Sequence, residues 1–550
     1  MSQTTGVEPA AGQGNGRGQL APGRTVRDAA LDVMRRHGLT TIFGNPGSTE
    51  ISFLTDLPAD FQFVLGLHEG SVVGMASGYA LARGEPSFVN LHTAAGLGNA
   101  INAIANARDV RAPLVILVGQ QDRRQIAFEP FLTGRALERL AGEYPVWRQL
   151  PSRPQDLPGA IARAWHEAKA ARGPTLVVAP MGDWLEPADE LAAASPARLL
   201  RPHSVDASQV EELADLLDGA EAPALVVGAP EADDWDPVVA LAERMNCPVW
   251  QEAFSRRVGF PQDHRLFAGH LPWQRRLMHD VLSSYDLVLT LGTNAFRAYI
   301  YDEPVALVGP STRVAVLTAD SAEAHRSPCD LAVVAPVGAA CRALVEILPE
   351  RAVGNPPDPV RRPAPLPPPG DGEILRPGHV LDALAARMPR DAMLIEEAPS
   401  SQPELYQRVP VRAPFGFLST ANGCLGFGLA GSIGLRMGLP DRPVVAVLGD
   451  GSTMYAIQAL WSAARYEVGV LIVVLANRRY AVMDALARRA GGEAAWPGFE
   501  SVDIGAIARG LGCPTVRVDT HAELVSTLDE VLPGLVGRGE PLLLEAVVGE

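Results

Sequence analysis

Lysine is all but missing from this chain: of 47 basic residues only Lys169 is not arginine, a bias that reads as genome composition and not as function. Cysteine is scarce as well. Cys247, Cys329, Cys341, Cys424 and Cys513 are scattered with no Cys-x-x-Cys pair, so neither a zinc site nor a disulfide framework is indicated, and a reducing cytoplasm fits. Positive charge is in deficit, 63 acidic residues standing against 47 basic ones for a net charge of −16. That balance argues against nucleic acid as a partner, because phosphate recognition needs clustered Lys and Arg. No apolar run reaches the roughly eighteen residues of a membrane helix. Residues 1–24, rich in Gly, Gln, Ala and Pro, lack the apolar stretch of a signal peptide and read as a disordered tail.

What is present is length and apolar content: 550 residues, 47% of them hydrophobic, too many for one ordinary core. Strand-like runs alternate with helical patterns, which predicts an α/β fold of three doubly wound parallel-sheet domains. The first domain is expected over 25–186, with strands near 40–44, 63–67, 87–91, 114–119 and 175–179. The second is expected over 204–349, with strands near 224–228, 248–251, 287–292, 314–318 and 331–334. The third is expected over 374–550, with strands near 393–396, 444–448, 471–475 and 542–547. A polar, Ala-rich linker at 187–202 and a Pro-rich connector at 355–372 separate them.

Chemistry concentrates in the third block. Gly449-Asp450-Gly451-Ser452 follows one apolar strand and Asn477 follows the next. Mg²⁺ takes hard oxygen ligands, one or two from side chains and the rest from phosphate and water; Asp450 and Asn477 can supply them. Gly449 and Gly451 would let backbone N–H groups approach a phosphate. A Gly-Asp-Gly turn alone is more often a plain strand-to-helix connection, so other segments decide. Glu69 opens a helix-like run of small residues, where apolar surroundings would favour its protonated form.

Together these segments resemble the thiamine-diphosphate-dependent enzymes, most closely the benzoylformate decarboxylases. The likeness also takes in Gly44-Asn45-Pro46-Gly47-Ser48-Thr49-Glu50, Asn90-Leu91-His92-Thr93-Ala94-Ala95-Gly96, Gly119-Gln120-Gln121 and Gly423-Cys424-Leu425-Gly426-Phe427, in one order across about 25–550. It implies thiamine diphosphate and Mg²⁺ as cofactors, and pyrimidine-binding, central and diphosphate-binding domains. It also implies a homo-oligomer, dimer at minimum and tetramer as a rule, with the cofactor between the first domain of one subunit and the third of another. Glu69 takes the cofactor-activating place, with His92 and Ser48 as proton and substrate handlers. Leu425 takes that of the bulky residue folding the cofactor, and the Gly423 carbonyl would accept from its amino group. Ser400, Ser452, Tyr455 and Tyr480 fall in the cofactor contacts. Asp450, Asn477 and the Arg479 carbonyl form the metal shell.

The resemblance breaks in two places. Where relatives commonly read Asn-Asn-Gly, this chain has Ala476-Asn477-Arg478, and a family glycine after the tyrosine is Ala481. Tyr299, in Phe296-Arg297-Ala298-Tyr299-Ile300-Tyr301, stands where benzoylformate decarboxylases carry a second active-site histidine. With an ordinary pKa near 10, a phenol shuttles protons poorly at neutral pH. Val482, Met483 and Leu486 give the pocket an apolar, altered lining. The expectation is a decarboxylase of a 2-keto acid with an aryl or bulky apolar side chain, giving CO₂ and an aldehyde through a carbanion-enamine. The alternative is a carboligase, favoured by loss of the histidine.

Overall fold

The computed structural model describes residues 23–549 apart from 190–198, 201–203, 300, 302–303, 352–353, 359 and 371. The expected tail therefore lies outside the described residues except for Gly23 and Arg24, and most of the 187–202 linker lies outside them too.

Three six-stranded sheets carry the fold. The first holds β1 (Thr41–Asn45), β2 (Gln62–Leu65), β3 (Ser87–Leu91), β4 (Leu114–Gln120), β5 (Trp147–Gln149) and β6 (Pro174–Pro180). The second holds β7 (Pro223–Val227), β8 (Val249–Gln251), β9 (Phe267–His270), β10 (Leu287–Leu291), β11 (Arg313–Thr318) and β12 (Leu331–Val334). The third holds β13 (Met393–Glu397), β14 (Phe417–Ser419), β15 (Val444–Gly449), β16 (Leu471–Ala476), β17 (Thr515–Val518) and β18 (Leu542–Val547). Every pairing within them is parallel, from β1 with β2 through β17 with β18. Inner strands such as β4, β7 and β16 are buried at every position, which is why they read as continuous apolar runs.

Strand order is β2-β1-β3-β4-β6-β5 in the first sheet and β14-β13-β15-β16-β18-β17 in the third. Numbered within each domain, the two are the same order. The central sheet runs β12-β11-β10-β7-β8-β9, the doubly wound order that reverses between β7 and β10. Four strands lack a counterpart in the sequence reading: β5, β9, β14 and β17. All are sheet edges, and three are only three or four residues long with partly exposed faces.

The first and third domains share one hydrophobic core, from Phe43, Val72 and Ile116 to Ile395, Ile433 and Ile472. Its seam is a helix pair, Glu69–Arg83 against Phe427–Gly438, each following the second strand of its own domain. The helices run in the same direction, Gly74 meeting Ala430 and Gly438 meeting Ala82. Glycine is required here because the backbones touch: a Cβ on Gly78 would lie 2.1 Å from the Gly431 carbonyl oxygen, and one on Gly434 1.8 Å from that of Met75. The Tyr466 hydroxyl adds bonds to Leu65 N (2.8 Å) and Phe63 O (3.2 Å) across the same boundary.

Candidate active site

The first-domain candidates leave the carboxyl ends of three adjacent strands. β1 delivers Asn45 and the loop to Glu50, β2 leads into the helix that Glu69 opens, and β3 ends one residue before His92. Glu69 is buried, but not among apolar groups as expected. Its Oε1 accepts from Asn45 Nδ2 (3.1 Å) and its Oε2 from Asn99 Nδ2 (3.0 Å), so two amides hold both carboxyl oxygens. Gly96 lies between Glu69 and His92: a Cβ there would be 3.4 Å from Glu69 Oε1 and 3.6 Å from His92 Cβ.

His92 caps the helix Thr93–Asp109, and its Nδ1 lies 3.0 Å from Glu50 Oε2 and 3.0 Å from Thr49 Oγ1. Glu50 is buried and also accepts from Gly47 N (2.7 Å) and Thr49 Oγ1 (2.5 Å). A carboxylate on Nδ1 orients the ring and leaves Nε2 as the nitrogen able to meet a ligand. Gly47 must be glycine, because a Cβ would fall 2.5 Å from the imidazole. Thr93 has φ 38°, a strained backbone directly after His92. Ser48 is exposed on the 3₁₀ turn Ser48–Glu50.

The third-domain candidates also sit at carboxyl ends. Asp450 is buried after β15; its Oδ1 accepts from Gly451 N (2.8 Å) and its Oδ2 from Arg478 N (2.5 Å). The Gly451 N–H expected to be open to phosphate is thus taken up by Asp450. Burial pushes the Asp450 carboxyl above its usual range, against the pull of those two N–H groups. Arg478 holds φ 58°, where relatives commonly have glycine, so a side chain is carried in a conformation costing about 1–2 kcal/mol. Asn477 Oδ1 accepts from Arg479 N (3.2 Å), and the Arg479 guanidinium bonds Asp484 (2.7 Å). Ser452 is buried, Gly449 precedes Asp450 in extended conformation, and Tyr480 packs on Gly451, where a Cβ would lie 2.8 Å from its ring. The Ser400 hydroxyl accepts from Val482 N (3.0 Å), and Tyr455 packs against Gly426.

Gly423 and Gly426 have φ 74° and 101°, so the loop carrying Leu425 turns twice through the left-handed region. Asn102 Nδ2, on the first-domain helix that His92 caps, donates to the Leu425 carbonyl (3.0 Å). Glu397, at the end of β13, binds this loop from inside, accepting from Gly426 N (2.7 Å) and Gly428 N (2.5 Å). Burial pushes its carboxyl up to about 8. The sequence reading assigned no role to Glu50, Asn99 or Glu397. For Glu397 a signal was present, since two consecutive acids close an otherwise apolar strand.

Tyr299 stands apart from both clusters, half exposed at the central-domain edge, its ring 6.0 Å from Phe254 and 5.9 Å from Trp273. Arg489, at the end of the helix Ala481–Arg489, lies 5.7 Å over Trp273. Val482, Leu486 and Arg489 share one face of that helix by their spacing.

Among the described residues no group of three or more His, Cys, Asp or Glu could hold a metal. A carboxylate, an amide oxygen and a backbone carbonyl are nonetheless the hard donor set that Mg²⁺ accepts alongside phosphate and water. Gly449, at the end of β15, leaves room for a diphosphate-bearing group beside Asp450.

Residues 24–138 match the N-terminal TPP binding domain of the thiamine pyrophosphate enzymes, 210–344 their central domain and 400–546 their C-terminal TPP binding domain. The chain is 37% identical over 530 residues to benzoylformate decarboxylase of Pseudomonas aeruginosa, covering 95% of this chain and 98% of that one. The thiamine-diphosphate-dependent 4-hydroxybenzoylformate decarboxylase of Rhodococcus jostii superposes with a TM-score of 0.90 at 33% identity, over 96% of this chain and 99% of that one. The acetolactate synthase isozyme 3 large subunit of Escherichia coli is 26% identical over 474 residues, 80% of each chain. With three matched domains and this overlap of fold and sequence, the chain belongs to the thiamine-diphosphate-dependent enzymes, of the decarboxylase or carboligase type.

Proposed function

We propose that the protein decarboxylates a 2-keto acid with an aryl or bulky apolar side chain, releasing CO₂ and an aldehyde. The observation that carries the reading is the aromatic cluster of Phe254, Trp273 and Tyr299, with Arg489 of the helix Ala481–Arg489 over the Trp273 ring. Aromatic rings of this kind suit an aryl or bulky apolar side chain. The likeness to two aryl keto acid decarboxylases supports it.

Thiamine diphosphate, when bound, supplies the electron sink for loss of CO₂. Asp450, Asn477 and the Arg479 carbonyl would hold Mg²⁺, while Ser400, Gly449, Gly451, Ser452, Tyr455 and Tyr480 would line the diphosphate end. Gly423 and Leu425 would position the ring end. Glu69, fixed by Asn45 and Asn99, holds the proton at the pyrimidine. His92, oriented by Glu50, moves a proton at the substrate, and Ser48 donates to its carboxylate. We place the site between the first domain of one subunit and the third of another, in a cytoplasmic homo-oligomer.

The second reading is carboligation, favoured by Tyr299 in place of an imidazole and by kinship with an acetolactate synthase. Product analysis with aryl and aliphatic 2-keto acids, with and without added aldehyde, separates the two. Tyr299→His is expected to raise aldehyde release relative to carboligation, by less than the ~10²–10⁴-fold of a well-placed acid, because the pocket was not shaped around an imidazole. No turnover of any aryl keto acid, or an unchanged product ratio in the variant, would count against the respective reading.

A further inference from the structure

Where the three domains meet, arginine outnumbers its partners. Arg111 follows the first-domain helix that His92 caps and binds Asp320 (2.7 Å) and Glu323 (2.7 Å) of the central domain. Arg172 and Arg257 share Glu231, and Arg297 takes Glu252 (2.7 Å). Five guanidinium groups thus meet four carboxylates. Arg256 is the one left over: among the described residues it has no carboxylate within ion-pair reach. Its only side-chain bond is a long one from Nη2 to the Ala229 carbonyl (3.5 Å).

Arg256 is also 92% buried, being 8% exposed, and its Nε has no partner. The adjoining Ser255 Oγ and Arg257 Nε are unpartnered and buried as well, so three consecutive residues each carry an unsatisfied polar atom. An isolated buried charge is costly unless something compensates it. Burial, then the charges of Arg111 and Arg257, push the Arg256 proton toward leaving, with Glu323 the opposing charge.

We propose that the Arg256 guanidinium, through its unpartnered Nε–H and an Nη–H, binds a small inorganic oxyanion at the three-domain junction. Planar guanidinium suits an oxyanion through two parallel N–H bonds. The size limit comes from the central sheet. A nucleotide would need the crevice where strand order reverses, beyond β7 and β10. The chain packs closely there: a Cβ on Gly228 would lie 2.3 Å from Thr293, and one on Gly259 2.3 Å from Val227. The bound anion would tie the domains together, because the Arg256 carbonyl accepts from Ser419 N (3.0 Å) on β14, and Ser419 Oγ donates to Glu396 (2.9 Å) beside Glu397.

The test uses the full-length holoenzyme saturated with thiamine diphosphate and Mg²⁺, so that no anion acts by filling the diphosphate turn. Melting temperature is followed against sodium sulfate, phosphate and acetate, with gluconate at equal ionic strength as reference. A saturable rise with sulfate and phosphate is expected, lost in both Arg256→Met and Arg256→Gln. The variants should melt no lower than wild type in anion-free buffer, because the uncompensated charge is gone. No saturable rise in wild type, or the same rise in either folded variant, overturns the proposal. A rise with acetate alone overturns the oxyanion assignment in favour of a carboxylate ligand. In a crystal soaked in selenate, anomalous density at the Arg256 guanidinium supports the site, and its absence at full selenate occupancy elsewhere overturns it.

Discussion

The first and third domains are one topology put to two uses. Both sheets have the same strand order, and both present their candidate residues at carboxyl ends, those of β1 to β3 in the first and of β13 to β16 in the third. In the first domain those ends carry Glu50, Glu69 and His92, the groups proposed to hold and move protons. In the third they carry Asp450, Asn477 and glycine turns, the groups proposed to hold a metal and a diphosphate. Topology decides where a site is built, and residue type at those few positions decides what it does. Even the helices that join the two are equivalents, each following its domain's second strand.

The largest effect that can test this division is at Glu69. Glu69→Gln is expected to lower turnover by ~10²–10⁴-fold while leaving cofactor affinity nearly intact. An amide facing Asn45 and Asn99 can neither accept both bonds nor do the acid's part. NMR of C2–H/D exchange in bound cofactor reads this directly, and wild-type exchange in the variant would remove Glu69 from its place. The third-domain counterpart should show the opposite split. In Asp450→Ala or Asn477→Ala, cofactor affinity falls and activity depends on excess Mg²⁺, since each loses one hard oxygen. Tryptophan fluorescence titration of EDTA-treated protein checks it; unchanged affinity would move the metal elsewhere.

A structural break comes next. Gly434→Ala drives a Cβ into the Met75 carbonyl and should cost about 1–3 kcal/mol, measured by calorimetry. Gly510→Ala has nothing within 4 Å and should stay within about 1 kcal/mol of wild type. Equal losses would mean the two domains are not joined by backbone contact. The smallest effect is the pH dependence at Glu397. Its folded carboxyl sits at about 8 against an ordinary 4.5, so its stabilisation is complete below 4.5 and lost as pH rises through about 8. Glu397→Gln should flatten that decline in a melting-temperature profile. A parallel profile would place the titration on another group.

Fold class was legible because inner parallel strands are buried on both faces and read as apolar runs. The edge strands β5, β9, β14 and β17 were not, since a strand of three or four residues carries little pattern. Asp450, Asn477 and His92 were picked out as candidates through motifs at strand ends. Glu50, Asn99 and Glu397 escaped assignment because their meaning lies in partners brought near by folding: Glu50 meets His92 from 42 residues away, and Glu397 meets Gly426 from 29. The Glu69 environment was misjudged for the same reason, its amide neighbours lying on β1 and on another helix.

The helix pair sets an order of events during synthesis. Gly74 and Ala430 are separated by more than half the chain, yet they close one continuous core. Long-range closure is slow and comes after local structure. On the ribosome the first domain would emerge with the glycine face of its second-strand helix bare, and would keep it bare until residues 427–438 were made. The nascent protein therefore passes through a long interval with an open seam, the stage at which it is most exposed to aggregation and to chaperone capture.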